Sequence, residues 1–439
     1  MRACQDWSIP PAPTPPEAAT RMPIPRPSIP PGAALPAGIL LLAVPLVAVG
    51  QFRGIALAAT IGFAAVLAGH LRAGGRLARP GRTALLALLP LLWCLVSAAW
   101  APAPALAATT ALVMGGFILL GSLACGAVST PAPGEADTIL RRLAWGLGIA
   151  ILLALLDHLV GGALRAGIRG MRDVPGTLSF SLKPAVSTLA VLLPVVPFLR
   201  GIPRAAQAAL VLGGLLTAFL LPAESAKIAI VAGLLAAGAA AWIGPRIARA
   251  IGAVLAVGFL AAPVLVGAML PRLPSLETMQ PSAAHRILIW DFALSRIAER
   301  PVLGWGGEAA RTIPGGQDRF DAATLDRYGL TSDFSRAWFG RKEAQRLPLH
   351  THNAPIQVWL ELGGVGAALV ALLMLGLGAA AAAVGPAGAG VLAAAATVGM
   401  LSYGIWQEWW IGLLLVAALA LTALRRSAAP DSGAAPRPR

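Results

Sequence analysis

Apolar runs near or above roughly 18 residues recur along the chain, each about the length a helix needs to cross a bilayer. Read against their breaks, they predict about twelve membrane helices, over 35–50, 54–70, 83–100, 105–128, 139–160, 180–199, 205–222, 225–242, 249–271, 354–378, 387–405 and 407–424. The pattern lapses at length only between 272 and 353, a charged stretch rich in Arg, Asp and Trp. Residues 1–34 are rich in Pro and Ala and have no apolar core, which predicts a disordered tail rather than a cleavable signal. The expected organisation is therefore a tail (1–34), helices (35–271), a large external loop (272–353), further helices (354–424) and a second tail (425–439). The fold class is an all-α polytopic membrane protein.

Both edges of the loop carry helical patterning. Over 284–300, Ile289, Phe292, Leu294 and Ile297 supply an apolar face, and Arg286 and Trp290 are spaced i, i+4. This predicts an amphipathic helix on the outer surface, stopped by Pro301. Trp290 and Trp305 read equally well as interface anchors. Where the apolar pattern resumes, Asn353, Gln357 and Glu361 follow at i, i+4, i+8 and form one polar stripe. Asn353 is placed to cap that helix, whose free N–H groups would favour an anion at the outer surface. Gly363, Gly364 and Gly366 would let a second helix approach closely.

With 57% hydrophobic and 12% charged residues, the composition excludes a soluble globular domain. The net charge of +15 does not call for nucleic acid, because arginines in cytoplasmic connections account for it. Arg72, Arg76, Arg79, Arg82, Arg141, Arg142, Arg200, Arg204, Arg246 and Arg249 fall in alternate connections, and Arg425 and Arg426 follow the last run. The positive-inside rule then puts both termini in the cytoplasm and the large loop outside. The short segment 161–179 breaks that rule with Arg165, Arg169 and Arg172, three bases that point to an anionic ligand at the outer face. Lys183, Glu224, Ser225, Lys227, Glu361 and Glu408 fall on the same side, which predicts a shared external cavity.

Of three cysteines, Cys4 is in the tail, and Cys94 and Cys125 lie in separate runs at different depths, so neither a disulfide nor a metal set is expected. His350 and His352 have no acidic or cysteine partner at a ligand spacing. A neutral imidazole that takes a proton from a hydroxyl fits them better than a metal. No nucleotide-binding glycine motif or GxSxG elbow is present.

The run RILIWxxALxxIxxxPxLGWG, then a charged loop, then HxHNxxxQxxxELGxxG, resembles the O-antigen ligase and polymerase superfamily. That resemblance implies a helical bundle like that of the lipid-linked-sugar (GT-C-like) glycosyltransferases, with an external lid over the cavity. It implies a donor polysaccharide on undecaprenyl pyrophosphate, membrane lipids as surroundings, and no cofactor or metal. The acceptor would be lipid A-core for a ligase, or another lipid-linked glycan for a polymerase. A transporter or flippase is a third reading, disfavoured because the polar features concentrate in one loop and its edges. By position, Arg286 matches the arginine that opens the family's R…W…P…G.G segment, and His352 matches the histidine of its HN motif. Lys227 stands where the family has arginine, and Arg172 and Gly176 with Lys183 match another basic element. Lysine keeps the charge but lacks the fork that suits phosphate oxygens. Arg286, Lys227 and Arg172 would stabilise the leaving pyrophosphate, and His352 would act as base. Arg169, Lys183, Trp290, His350, Asn353, Gln357 and Glu361 complete the expected substrate-binding set.

Overall fold

A computed structural model describes residues 32–129, 134–174, 178 and 182–428. The tail expected over 1–34 therefore lies outside the described residues except for its last three, and so do Cys4, Gly176 and 429–439. The described residues form helices α1 (Ala34–Gln51), α2 (Gly54–Arg72), α3 (Arg82–Ser97), α4 (Pro104–Val128), α5 (Glu135–Leu159), α6 (Ala163–Ile168), α7 (Lys183–Leu192) and α8 (Arg204–Leu220). Helices α9 (Glu224–Ile243), α10 (Arg246–Met269), α11 (Pro281–Glu299), α12 (Ala322–Arg327), α13 (Asp333–Phe339), α14 (Ala354–Val384), α15 (Pro386–Leu401) and α16 (Glu408–Ser427) follow. No strand is present among the described residues.

Each apolar run of the sequence is helical. Eight helices are long and apolar enough to cross a membrane: α1, α2, α4, α5, α9, α10 with its 3₁₀ extension to Arg272, α14 and α16. The remaining runs give shorter helices, Arg82–Ser97, Lys183–Phe198, Arg204–Leu220 and Pro386–Leu401. The second of these runs breaks where it does because LPVVPF turns α7 into a 3₁₀ segment at its two prolines. The chain is a multi-pass, all-helical membrane protein. Small residues permit close crossings: a Cβ on Gly252 of α10 would lie 2.8 Å from the Gly378 Cα of α14, so only glycine fits.

Two expectations change. The segment 272–353 is not an open loop with a helix on its surface, but a packed lid with its own core. Leu276, Leu288, Phe320, Tyr328, Leu330 and Phe339 are buried together, and His285 stacks edge-on to Phe320 and Phe339. Helix α11 buries its other face, Ile289, Ala293 and Ile297, against Ile356 and Leu360 of α14. Being apolar on two sides, it is clamped between lid and bundle. Arg425 and Arg426, assigned to the tail, close the last turn of α16.

The second change concerns the glycines of ELGxxG. They do not admit a helix; Gly363, at φ 65° and ψ −165°, interrupts α14. Into that gap fits the 301–306 turn. Trp305 and Gly306 donate their N–H groups to the Leu360 and Glu361 carbonyls at 2.9 and 2.7 Å, and Gly364 donates to Pro301 at 2.9 Å. The indole of Trp93 takes the Leu362 carbonyl at 2.9 Å. Backbone groups freed by the break are thus re-paired, as a low-dielectric site demands. A Cβ on Gly304 would lie 2.4 Å from the Glu361 carbonyl oxygen, and one on Gly363 would lie 2.3 Å from that of Val302. The two glycine motifs are therefore two halves of one joint, which fixes the lid to α14.

Candidate active site

Turns and helix starts from the connections α1–α2, α3–α4, α5–α7, α8–α9, α10–α14 and α15–α16 meet at one end of the bundle. They enclose a cavity of about 1250 Å³, lined by Phe52, Leu106, Lys183, Ser225, Arg286 and His352 among others. Arginines of the alternate connections lie at the opposite end. The cavity brings together four of the expected site residues, Lys183, Arg286, His350 and His352, with Glu224, Ser225 and Glu408 beside them.

His352 is held in an uncommon backbone conformation. Its φ is 54°, and the only other described non-glycine residue with positive φ is Glu308, which also lines the cavity. Strain of this kind persists where the surroundings over-determine it, and it concentrates at functional sites. Here the His352 N–H donates to His350 Nδ1 at 3.2 Å, and its ring Nδ1 lies 2.7 Å from the Ser402 carbonyl oxygen. A carbonyl can only accept, so Nδ1 carries the proton and the neutral ring keeps its lone pair on Nε2. Burial, then His350 and Arg286, hold the His352 pKa well below the usual histidine range. His350 is pushed down to about 4 by burial and by the charges of Arg311 and Arg286. Both rings are thus neutral near pH 7, their centroids 4.2 Å apart.

Arg286 begins the second turn of α11 and is half-buried. Among the described residues it makes no ion pair. Burial lowers its pKa, but a guanidinium keeps its charge, so the cavity holds a partly desolvated cation. Such a group is costly unless an anion meets it.

Other expected residues lie outside the cavity wall. Lys227 pairs with Glu224 Oε1, one turn away on α9, at 2.7 Å. Arg172 is exposed. Arg169 donates from Nε to the Gly50 carbonyl at 3.1 Å. Arg165, one of the three bases that suggested an anionic ligand, is buried against Asp157 at 2.5 Å and answers an internal carboxylate instead. The polar stripe of α14 exists, and Asn353 caps it by accepting from the Ile356 N–H at 3.1 Å. The side chains of that first turn, Ala354 to Gln357, are buried and do not line the cavity, although His352 just before the cap does. Gln357 and Glu361 are also buried. Glu361 accepts from the Glu308 N–H at 2.8 Å, the Gln357 amide at 3.0 Å and the Trp406 indole, and Gln357 accepts from the Ile405 N–H at 3.2 Å. Trp290 donates to the Thr351 carbonyl at 2.9 Å. Trp290, Gln357 and Glu361 therefore brace the 350–353 and 402–407 turns from behind.

The sequence reading missed most of the 402–407 turn. Ser402 orients His352, Tyr403 bonds Ser187 at 3.1 Å, and Gln407 approaches His350 at 3.3 Å. Its signal was the polar, tryptophan-rich SYGIWQEWW between two apolar runs. Glu308 and Arg311 were missed as well. Among the described residues no group of three or more His, Cys, Asp and Glu side chains is arranged to hold a metal.

An all-helical membrane bundle with a lid over a basic, histidine-bearing cavity defines the class of protein. Residues 204–371 match the family model described as O-antigen ligase. A Rickettsia conorii protein named "Putative polysaccharide ligase" is 33% identical over 164 residues, and a Rickettsia prowazekii protein of similar name is 34% identical over 164. Each alignment covers 36% of this chain and 36% of the relative. The matched segment 204–371 holds Lys227, Arg286, His350 and His352, and it is similar to the O-antigen ligase family; the chain aligns over about a third of the length of these relatives.

Proposed function

We propose that this protein moves a polysaccharide from an undecaprenyl-pyrophosphate carrier to a hydroxyl of a lipid A-core acceptor, at the periplasmic face of the bacterial inner membrane. The observation that carries this reading is the pairing, in one cavity, of an unneutralised Arg286 with a His352 whose Nε2 lone pair is free. The acceptor oxygen attacks the anomeric carbon of the donor, the bond from that carbon to the carrier phosphate breaks, and undecaprenyl pyrophosphate leaves. His352 Nε2 takes the acceptor proton. Arg286 meets the negative charge that grows on the pyrophosphate, with Lys183 on the same cavity wall. Lys227 acts one step back, through Glu224. A cationic leaving-group site does the work a divalent metal does elsewhere, so the reading includes metal independence. The arginine-rich end of the bundle supports a cytoplasmic assignment for that end, and hence a periplasmic cavity.

Purified protein in detergent, given undecaprenyl-pyrophosphate-linked polysaccharide and rough lipopolysaccharide, is expected to yield the joined product in excess EDTA. Loss of product on chelation, restored by one divalent ion, would contradict metal independence. No product under any condition would remove the transfer reading itself.

The pH dependence carries a sign. The base must be neutral, and its pKa is depressed, so activity is lost only as pH falls through that lowered value. The acid limb of kcat/KM is expected below the ordinary histidine value of about 6.5. Because Arg286 is one cause of the depression, Arg286→Gln should move the limb upward in the residual activity. A limb that stays put would separate the two residues.

A further inference from the structure

A second cavity lies at the opposite, arginine-rich end of the bundle. Its volume of about 530 Å³ falls within the range of about 300–1,000 Å³ usual for small-molecule sites. Four parts of the chain wall it: the end of the 3₁₀ segment after α7, the start of α8, the α14–α15 junction and the last turn of α16. We infer that this cavity binds the phosphate headgroup of an anionic phospholipid, held by Arg200 and Arg204. It shares no lining residue with the transfer cavity.

Both arginines are set in place by neutral groups. Arg200 Nη1 donates to the Ser427 carbonyl of α16 at 2.7 Å. Arg204 Nη1 donates to the Pro197 carbonyl at 2.9 Å and to Gln207 Oε1 at 3.0 Å. Gln207 is only 5% exposed and donates from Nε2 to the Leu199 and Ile202 carbonyls at 2.7 and 3.0 Å. The turn before α8 is thereby pinned to the first turn of that helix. Among the described residues neither arginine makes an ion pair, and no acidic residue lines the cavity. Asp137, which reaches this end of α16, takes the Ser427 hydroxyl and not a guanidinium. A guanidinium carries more N–H donors than these contacts use, so both arginines keep some for a ligand. Their charge is fixed in position but not neutralised.

Arginine at this end follows the positive-inside rule and by itself asks for no ligand. What sets this pair apart is a shared cavity whose other walls are apolar, among them Phe198, Ile202, Val384 and Leu424. Arg246 and Arg249, in the α9–α10 connection at the same end, do not line it. Helices α8 and α15 also begin here, at Arg204 and Pro386, and neither has a side chain bonded to its free N–H groups. Their positive ends add to the attraction of the arginines for an anion. A phospholipid satisfies both features, with its phosphate on the cations and its glycerol and first acyl carbons on the apolar wall. Free phosphate would match the cations alone and leave that wall in water. A headgroup held here joins α8, α15 and α16, whose far ends lead to Pro222, Ser402 and Glu408 of the transfer cavity, so occupancy should stabilise the folded chain.

The test is thermal unfolding of the full chain in neutral detergent, titrated separately with phosphatidylglycerol, zwitterionic phosphatidylethanolamine and inorganic phosphate. Phosphatidylglycerol is expected to raise Tm saturably, and the other two to change it little. Arg200→Gln combined with Arg204→Gln should shift the phosphatidylglycerol midpoint roughly tenfold or more to higher concentration. Arg246→Gln combined with Arg249→Gln removes the same charge outside the cavity and should leave the midpoint where it was. If the two pairs weaken the lipid alike, the attraction is diffuse and the site is overturned. Equal protection by phosphatidylethanolamine overturns the role of the charge, and equal protection by inorganic phosphate overturns the lipid as ligand. A wild-type chain that neither gains Tm nor retains phosphatidylglycerol in native mass spectrometry overturns the inference outright. Should the Arg200–Arg204 double variant not fold, Arg200→Gln alone gives up only an exposed side chain, and the same selective loss is expected in smaller measure.

Discussion

His352→Ala is expected to lower polysaccharide transfer by about 10²–10⁴-fold, the usual contribution of a general base. Three features converge on this side chain. Its Nδ1 is tied to Ser402, so Nε2 is the nitrogen left for chemistry; its pKa is depressed, so the ring is neutral when needed; and its backbone is strained. The strain supplies a control. Alanine at positive φ costs on the order of 1 kcal/mol, whereas glycine adopts that conformation freely. His352→Gly should therefore fold at least as well as His352→Ala and be just as inactive. Initial rates of transfer, with size-exclusion profiles as the check on folding, decide the matter. Activity restored in the glycine variant would mean that the loss was conformational. Near-normal rates in both would move the base to another group, and His350, already pushed down to about 4, would be the next to test.

Arg286→Ala is expected to cost about 10²–10³-fold in kcat, as the removal of a donor aimed at developing charge does. The cation lines the cavity and makes no ion pair among the described residues, so no salt bridge among them is lost when it goes. Removal of a partly desolvated cation should leave stability unchanged or raise it, so unfolding would not explain the lost activity. Arg286→Lys separates charge from shape. Lysine keeps the cation but not the paired N–H donors, and intermediate activity is expected. If Arg286→Lys and Arg286→Ala are equally slow, bidentate recognition of phosphate dominates; if lysine is fully active, charge alone suffices.

The helices were legible in the sequence because membrane burial writes long apolar runs, and each run is a helix in the structure. The resemblance implied an external lid, but the lid's own core was not legible, because it is assembled from residues scattered between Leu276 and Ala344, none of them in a run long enough to read. Histidines and arginines at the loop edges pointed to the cavity, since ionisable side chains beside a bilayer need a reason to be there. What periodicity could not reveal was direction. Asn353, Gln357 and Glu361 share a helix face as their spacing requires, but that face is turned to the 402–407 turn and the lid joint instead of the cavity. Arg165 likewise resembled a surface base, but it pairs with Asp157, eight residues earlier in the preceding apolar run. Gly363 shows the same limit, because a helix break inside an apolar run has no compositional mark beyond the paired glycines.

The central claim is direct transfer from carrier to acceptor at the His352–Arg286 cavity, and a single-turnover experiment with protein in excess over lipid-linked donor tests it most directly. Without acceptor, the donor should remain whole. On addition of rough lipopolysaccharide, undecaprenyl pyrophosphate should appear in an amount equal to the glycan joined to the acceptor, and His352→Ala should suppress both together. Release of undecaprenyl pyrophosphate before the acceptor is added, or movement of glycan with the carrier bond intact, would contradict the account.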